Sequence, residues 1–144
     1  MASFTMPKSY SEIEKGIALS EGIYRMRSVA PPVFEPNKAG DGVNLVVEVA
    51  IFGEADPKAN GRTFKKWFGM PKPADADRTT RRGQPMLDFK MEMIGRVVQA
   101  LGGEVSGAEV VVPEQFECRW AVIQKLNQES QEIENDLDGD PLPV

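Results

Sequence analysis

The sequence contains no histidine and a single cysteine, Cys118. An internal disulfide is therefore excluded, and the nitrogen and sulfur ligands that build structural zinc sites are missing. The same absences remove Ser-His-Asp and Cys-His nucleophilic catalysis, and neither a Walker-type loop nor a GxGxxG fingerprint opens a helix. No apolar run approaches the roughly 20 residues needed to cross a bilayer, and the opening MASFTMPKSYSEIEKG lacks the charged-then-apolar layout of a secretory signal. These absences predict a soluble, intracellular protein, leave enzymatic readings weak, and call for no cofactor. Its 144 residues, 41% of them hydrophobic, suffice for one ordinary core.

What is present is unevenly spread. The net charge of −5 averages segments of opposite sign. Between Arg62 and Arg96 nine Lys or Arg stand against four acids, a net +5, whereas Asn127 to Val144 holds six acids and no base. The basic region is approached through VNLVVEVAIF, Val43 to Phe52, whose β-branched and aliphatic residues suit a buried strand. A turn-rich connection, Gly53 to Gly61, leads into RTFKKWF, Arg62 to Phe68, and the two arms predict a long β-hairpin. A period of two puts Phe64, Lys66 and Phe68 on one face of the second arm and Thr63, Lys65 and Trp67 on the other. Cations interleaved with aromatic rings suit a single-stranded nucleic acid, whose phosphates need positive charge and whose unpaired bases stack on flat partners.

Met1 to Ser20 reads as an arm, with one or two helical turns over Ser9 to Leu19 on the four-residue spacing of Ile13 and Ile17. From Gly22, GIYRMRSVAPPVFE alternates Ile23, Arg25 and Arg27 with Tyr24, Met26 and Ser28, and Pro31-Pro32 ends or bends this first strand. Asn37 to Gly42 is a turn by composition, so a three-stranded meander results. Gly69 to Gly83 has no apolar periodicity and reads as a mobile surface loop carrying Arg78, Arg81 and Arg82. A helix over Met86 to Leu101 follows from Leu87, Met91, Ile94, Val98 and Leu101 at spacings of four, three, four and three. Pro85 is tolerated in its first turn and Gly102-Gly103 supplies the stop. Leu87, Ile94, Val98 and Leu101 are expected to be buried. Gly95, which costs roughly 1 kcal/mol relative to alanine in a helix, marks an expected close approach to a neighbouring element. Ala108 to Val112 and Phe116 to Lys125 are two further strand candidates, with Trp120 in the core or at its rim.

Three strands, a helix and two more strands predict a mainly β (α+β) fold: a five-stranded Greek-key barrel of the oligonucleotide-binding (OB) type, with the helix between strands three and four closing one end. The barrel would span residues 21–126, between an arm at 1–20 and an acidic tail at 127–144. With only Ile133, Leu137, Leu142 and Val144 as apolar anchors, the tail is expected to be disordered. A tethered segment of charge −6 is expected to visit a basic groove, so truncation after Leu126 is expected to tighten single-strand binding at low salt.

EGIYRMRSV (Glu21 to Val29), the hydrophobic strand followed by NGRTFKKWF (Asn60 to Phe68), MEMIGRVVQALGG (Met91 to Gly103) and PEQFECRWAVIQK (Pro113 to Lys125) come in an order that resembles a known family. It is that of the small single-stranded-DNA-binding proteins encoded by bacteriophages in their replication and recombination modules. The resemblance implies an OB-like barrel, sequence-tolerant binding of single-stranded DNA in replication and recombination, no catalysis, and a place in the host-cell cytoplasm. DLDGDPLPV, Asp136 to Val144, resembles the acidic C-terminal tip of bacterial single-stranded-DNA-binding proteins. That likeness implies docking of replication or recombination proteins through Asp136, Asp138, Asp140, Pro141, Leu142, Pro143 and Val144, although Val144 stands where a bulky aromatic is usual.

The nucleic-acid reading gathers Arg62, Phe64, Lys65, Lys66, Trp67, Arg78, Arg81 and Arg82 into one groove. Each has an ordinary role to set beside it: strand aromatics pack inward, lysines keep strand edges from aggregating, and loop arginines aid solubility. Met86, Met91 and Met93 read as helix packing. Asp88-Phe89-Lys90 has the D-x-K form of a nuclease motif, with Asp75 or Asp77 upstream, but a helix and a loop do not fix such a metal site. Asp88 and Glu92, one helical turn apart, mark a solvated face. The valine-rich Ala108 to Val112 suits pairing across a homo-oligomer as well as within the barrel. The competing function is an OB-like protein-interaction or structural accessory module that binds no DNA.

Overall fold

The computed structural model describes residues 1–12, 16 and 18–144. The elements run β1 (Gly22–Ser28), β2 (Val33–Pro36), β3 (Val43–Ile51), β4 (Thr63–Gly69), α1 (Met86–Ala100), β5 (Glu104–Ser106), β6 (Glu109–Val111), β7 (Glu117–Leu126) and β8 (Ile133–Leu142). Six of these strands make one antiparallel sheet. β4 lies along one edge of β3, while β2 and β1 share the other, β2 against residues 43–46 and β1 against 49–51. Pro31-Pro32 explains the division, because two residues without N–H groups cannot continue the ladder. β7 then pairs with β1, and β8 with β7.

The inner face of this sheet carries the core. Leu45, Val47, Val49 and Ile51 alternate along β3 and are buried, facing Met26 of β1 and Cys118, Trp120 and Val122 of β7. Burial pushes the Cys118 thiol up to about 12, so it serves as an apolar side chain. α1 contributes Ile94, Val97 and Val98 to the same core, and Leu101, at its C-terminal cap, adds to it. Of the four helix positions expected to be buried, Leu87 alone is only half-buried, on the rim of an apolar cleft. Among the described residues no helix is long and apolar enough to cross a membrane. Tyr10–Glu12 form a single 3-10 turn, and the expected Ile13–Ile17 spacing lies outside the described residues.

β4 and β8 are the outermost strands. They approach one another, but among the described residues no hydrogen-bond ladder joins them, so the sheet curls without closing. The helix lies across this gap, where its Ile94 and Val97 share a cleft with Phe68 of β4 and Asp140 of β8.

Three expectations are corrected. Ala108 to Val112 does not join the sheet: β5 and β6 form a separate hairpin that packs on α1. The helix end dictates this, because the backbone of β6 lies against Gly103, where an added Cβ would stand 2.3 Å from the Val111 carbonyl oxygen. The close approach is therefore at Gly103, whereas a Cβ at Gly95 would meet only Val105 Cγ2 at an ordinary 4.0 Å. Second, the acidic segment expected to be disordered supplies β8, pairing with β7 from Leu126↔Ile133 to Arg119↔Leu142. Leu137 is buried in the core, while Asp136 and Asp138 stand opposite Ile123 and Ala121 on the outer face. Asn135 fastens the strand to the chain's other end, accepting from the Leu19 N–H at 2.7 Å and donating to the Leu19 carbonyl at 3.0 Å.

The third correction concerns the loop after β4. Pro73–Asp77 form a 3-10 helix packed on α1, organised by the fully buried Asp75. Its carboxylate accepts from the Lys72 N–H at 3.0 Å, from Arg78 at 2.8 Å and from Lys90 at 3.0 Å. The Lys72 N–H, then Lys90 and Arg78, hold the Asp75 carboxyl well below the ordinary carboxylate range. A depressed folded-state value contributes stability above the unfolded value and loses it on acidification. Limited proteolysis of residues 69–85 should therefore accelerate as the pH falls below about 4. Asp75→Asn should be cut readily already at neutral pH and respond less to acid. An equal cleavage rate for the two proteins at neutral pH would contradict this role.

Candidate nucleic-acid interface

Because side chains alternate along a strand, β4 divides its residues between two faces. Phe64 and Phe68 point inward and pack against the core, Phe68 stacking on Trp120 with ring centroids 6.0 Å apart and planes 18° off parallel. Lys66 shares this side of the strand and lies near β8. The Asp136 carboxyl is held low chiefly by its hydrogen bond from Lys125, with a smaller contribution from Lys66. Thr63, Lys65 and Trp67 point outward and are exposed, Trp67 at 53%. Lys65 Nζ lies over the Trp67 ring, 5.5 Å from its centroid, although Glu48 stands directly opposite Lys65 on β3. Among the described residues Lys65 forms no ion pair, so a cation and an aromatic surface stand side by side in solvent.

The rest of the expected groove divides. Arg62 lines a cleft with Glu132, Glu134 and Asn135, at the edge of β8. Arg78 is engaged by Asp75, and Arg81 and Arg82 are exposed in the turn closed by the Gly83 N–H bond to the Thr80 carbonyl. Lys65 and Trp67 thus sit together, whereas Phe64 and Lys66 face the other side. Period-two alternation was visible in the sequence, but which face is interior depends on strand pairings that the local pattern does not encode. Asp75, weighed as a metal carboxylate, is taken up by three donors.

The outer face also holds residues absent from the expected set. Phe52, which follows β3 directly, donates its backbone N–H to the Arg25 carbonyl at 3.0 Å and so stands beside β1. Arg25 and Arg27 lay their guanidinium carbons 4.7 and 5.2 Å from the centre of the Phe52 ring. Both arginines are exposed, and in the register of the sheet Arg27, Ala50 and Thr63 follow one another across β1, β3 and β4. The alternation of Ile23, Arg25 and Arg27 carried this signal, but its connection to β4 arises only once β3 lies between them. Beside Trp67 the face is bounded by a cleft of about 310 Å³ reaching Met86, Phe89 and Lys90 of α1.

No protein-family model matches the chain, and no curated protein matches it in sequence.

Proposed function

We propose that the protein binds single-stranded DNA in a sequence-tolerant, non-catalytic manner, as phage replication and recombination proteins of this size do, and that its curled sheet is a partly open OB-like barrel. In that reading β1 with β2, β3, β4, β7 and β8 are the five barrel strands in order, and α1 falls between the third and fourth. The faces of the second and third strands are where such barrels hold oligonucleotides, and here those strands are β3 and β4. The observation that carries the proposal is the Lys65–Trp67 pair, an exposed indole with a cation 5.5 Å from its centre on that outer face. Base stacking on an aromatic ring contributes about 1 to 3 kcal/mol and is indifferent to base identity.

The two tryptophans make the test direct. Trp120 is fully buried and Trp67 exposed, so quenching on addition of oligo-dT reports on Trp67. Trp67→Ala should weaken oligo-dT and mixed-sequence binding alike, by about 1 to 3 kcal/mol in an anisotropy titration. Lys65→Ala should lower the slope of log affinity against log salt by about 0.7, whereas Lys66→Ala, on the inner side of β4, should leave it unchanged. Absence of both quenching and salt dependence in the wild-type protein would overturn the proposal.

A second reading, a protein-interaction module, draws on an apolar cleft of about 390 Å³ between α1 and the β5–β6 hairpin, where Met91 and Val105 are exposed. That reading expects no response to oligo-dT.

A further inference from the structure

We propose that Arg25 and Arg27, held against the ring of Phe52, form a phosphate-binding subsite distinct from the Trp67 platform, and that a bound single strand must span both. The inference rests on the single-strand binding proposed above and adds a second anchor to it. Both guanidinium groups are exposed, and none of the ion pairs among the described residues involves either of them. Glu117 stands opposite Arg27 in the β1–β7 register, yet no ion pair joins them. An arginine oriented by a ring in place of a carboxylate keeps its charge and its planar fork of donors for a ligand, and phosphate geometry matches that fork.

The backbone makes room for this arrangement. Gly53 has φ +73°, a conformation that favours glycine, and an added Cβ there would lie 3.1 Å from Arg25 Nη1, so the bare glycine leaves the guanidinium room to rest where it does. Arg119 of β7 stands opposite Arg25 and continues the row of positive charge. Its Nε donates to the Pro143 carbonyl at 3.0 Å.

Distance gives the inference a number. Trp67 stands opposite Val46 of β3, and Phe52, just past the end of that strand, lies six residues further along the chain. At about 3.4 Å per residue the two subsites are roughly 20 Å apart. At about 3.4 Å per nucleotide of a stacked strand, that span takes about six nucleotides. Shorter oligonucleotides reach one subsite only.

The experiment measures anisotropy of labelled oligo-dT, from about three to about twelve nucleotides long, on the full chain across a range of salt. Wild-type affinity should climb steeply up to about six nucleotides and then level. Arg25→Gln with Arg27→Gln, which keeps polar stems beside Phe52, should remove that climb, leave the shortest oligonucleotides unaffected, and lower the salt slope by about 1.4 for two lost phosphate contacts. Near-UV circular dichroism identical to wild type is required of the variant, and Arg25→Lys with Arg27→Lys serves as a second variant that should retain most of the salt slope. If Trp67→Ala weakens binding while the double glutamine variant keeps the wild-type climb and slope, the subsite is refuted and single-strand binding stands. If the wild-type protein binds no oligonucleotide of any length, both fall together.

Discussion

Alanine in place of Trp120 should lower the folding free energy by about 3 to 5 kcal/mol, measured by urea denaturation. The indole is fully buried, stacks on Phe68 and donates through Nε1 to the Gly139 carbonyl at 3.1 Å. It therefore touches three strands, β4 through the stacked ring, β7 through its own backbone, and β8 through that hydrogen bond. Gly139 has φ +66° and lies in the irregularity where the β7–β8 register shifts between Arg119 and Ala121. Removal of the indole leaves a large cavity and an orphaned carbonyl at the place where the sheet's two outer strands approach. Trp120→Phe should recover only part of the loss, because a ring remains to stack on Phe68, while the hydrogen bond, about 1 kcal/mol, and the volume of the indole's second ring are missing. A Trp120→Ala protein with unchanged denaturation midpoint would contradict the role given to this side chain.

Deletion of residues 127–144 should have a still larger effect. The sequence alone presents this segment as a disordered acidic guard whose removal tightens DNA binding at low salt. In the fold it is a strand ten residues long that covers Trp120 and Val122 and inserts Leu137 into the core. Loss of the buried Leu137 alone corresponds to about 1.5 to 3 kcal/mol. With the uncovered β7 side chains added, the total reaches on the order of 5 kcal/mol or more, against a stability of about 5 to 15 kcal/mol for a whole domain. A chain ending at Leu126 should lose near-UV circular dichroism and the slow-exchanging amides of β7. Native-like spectra for that truncation would show β8 to be an accessory to the fold.

Average composition, six acids and no base over residues 127–144, argued for disorder, and the composition is as read. What decides the outcome is position along the strand: acids at 134, 136 and 138 fall on the solvent side of the alternation, and Asn135 and Leu137 fall on the other. The hydrophobic strand Val43 to Ile51 and the helix from Met86 were legible because their patterns are long and local. Ala108 to Val112 carried equal strand propensity, but propensity does not name a partner, and the backbone contact at Gly103 gave it one outside the sheet. The candidate site follows the same division. Lys65 and Trp67 share a face by spacing alone, while their separation from Lys66 and Phe64 and their company with Arg25, Arg27 and Phe52 required the sheet.

The pairing of β1 with β7 joins Gly22 to Val122, partners 100 residues apart, and the Leu19 backbone waits for Asn135 near the far end of the chain. Contacts of such long sequence separation slow folding, because loop-closure entropy is paid before any native contact compensates it. The hairpin of β3 and β4 is synthesised before β7 and β8, so its apolar face stays uncovered until those strands pack on it. In the interval before they do, the lysines of β4 help keep the open sheet from pairing with a neighbour.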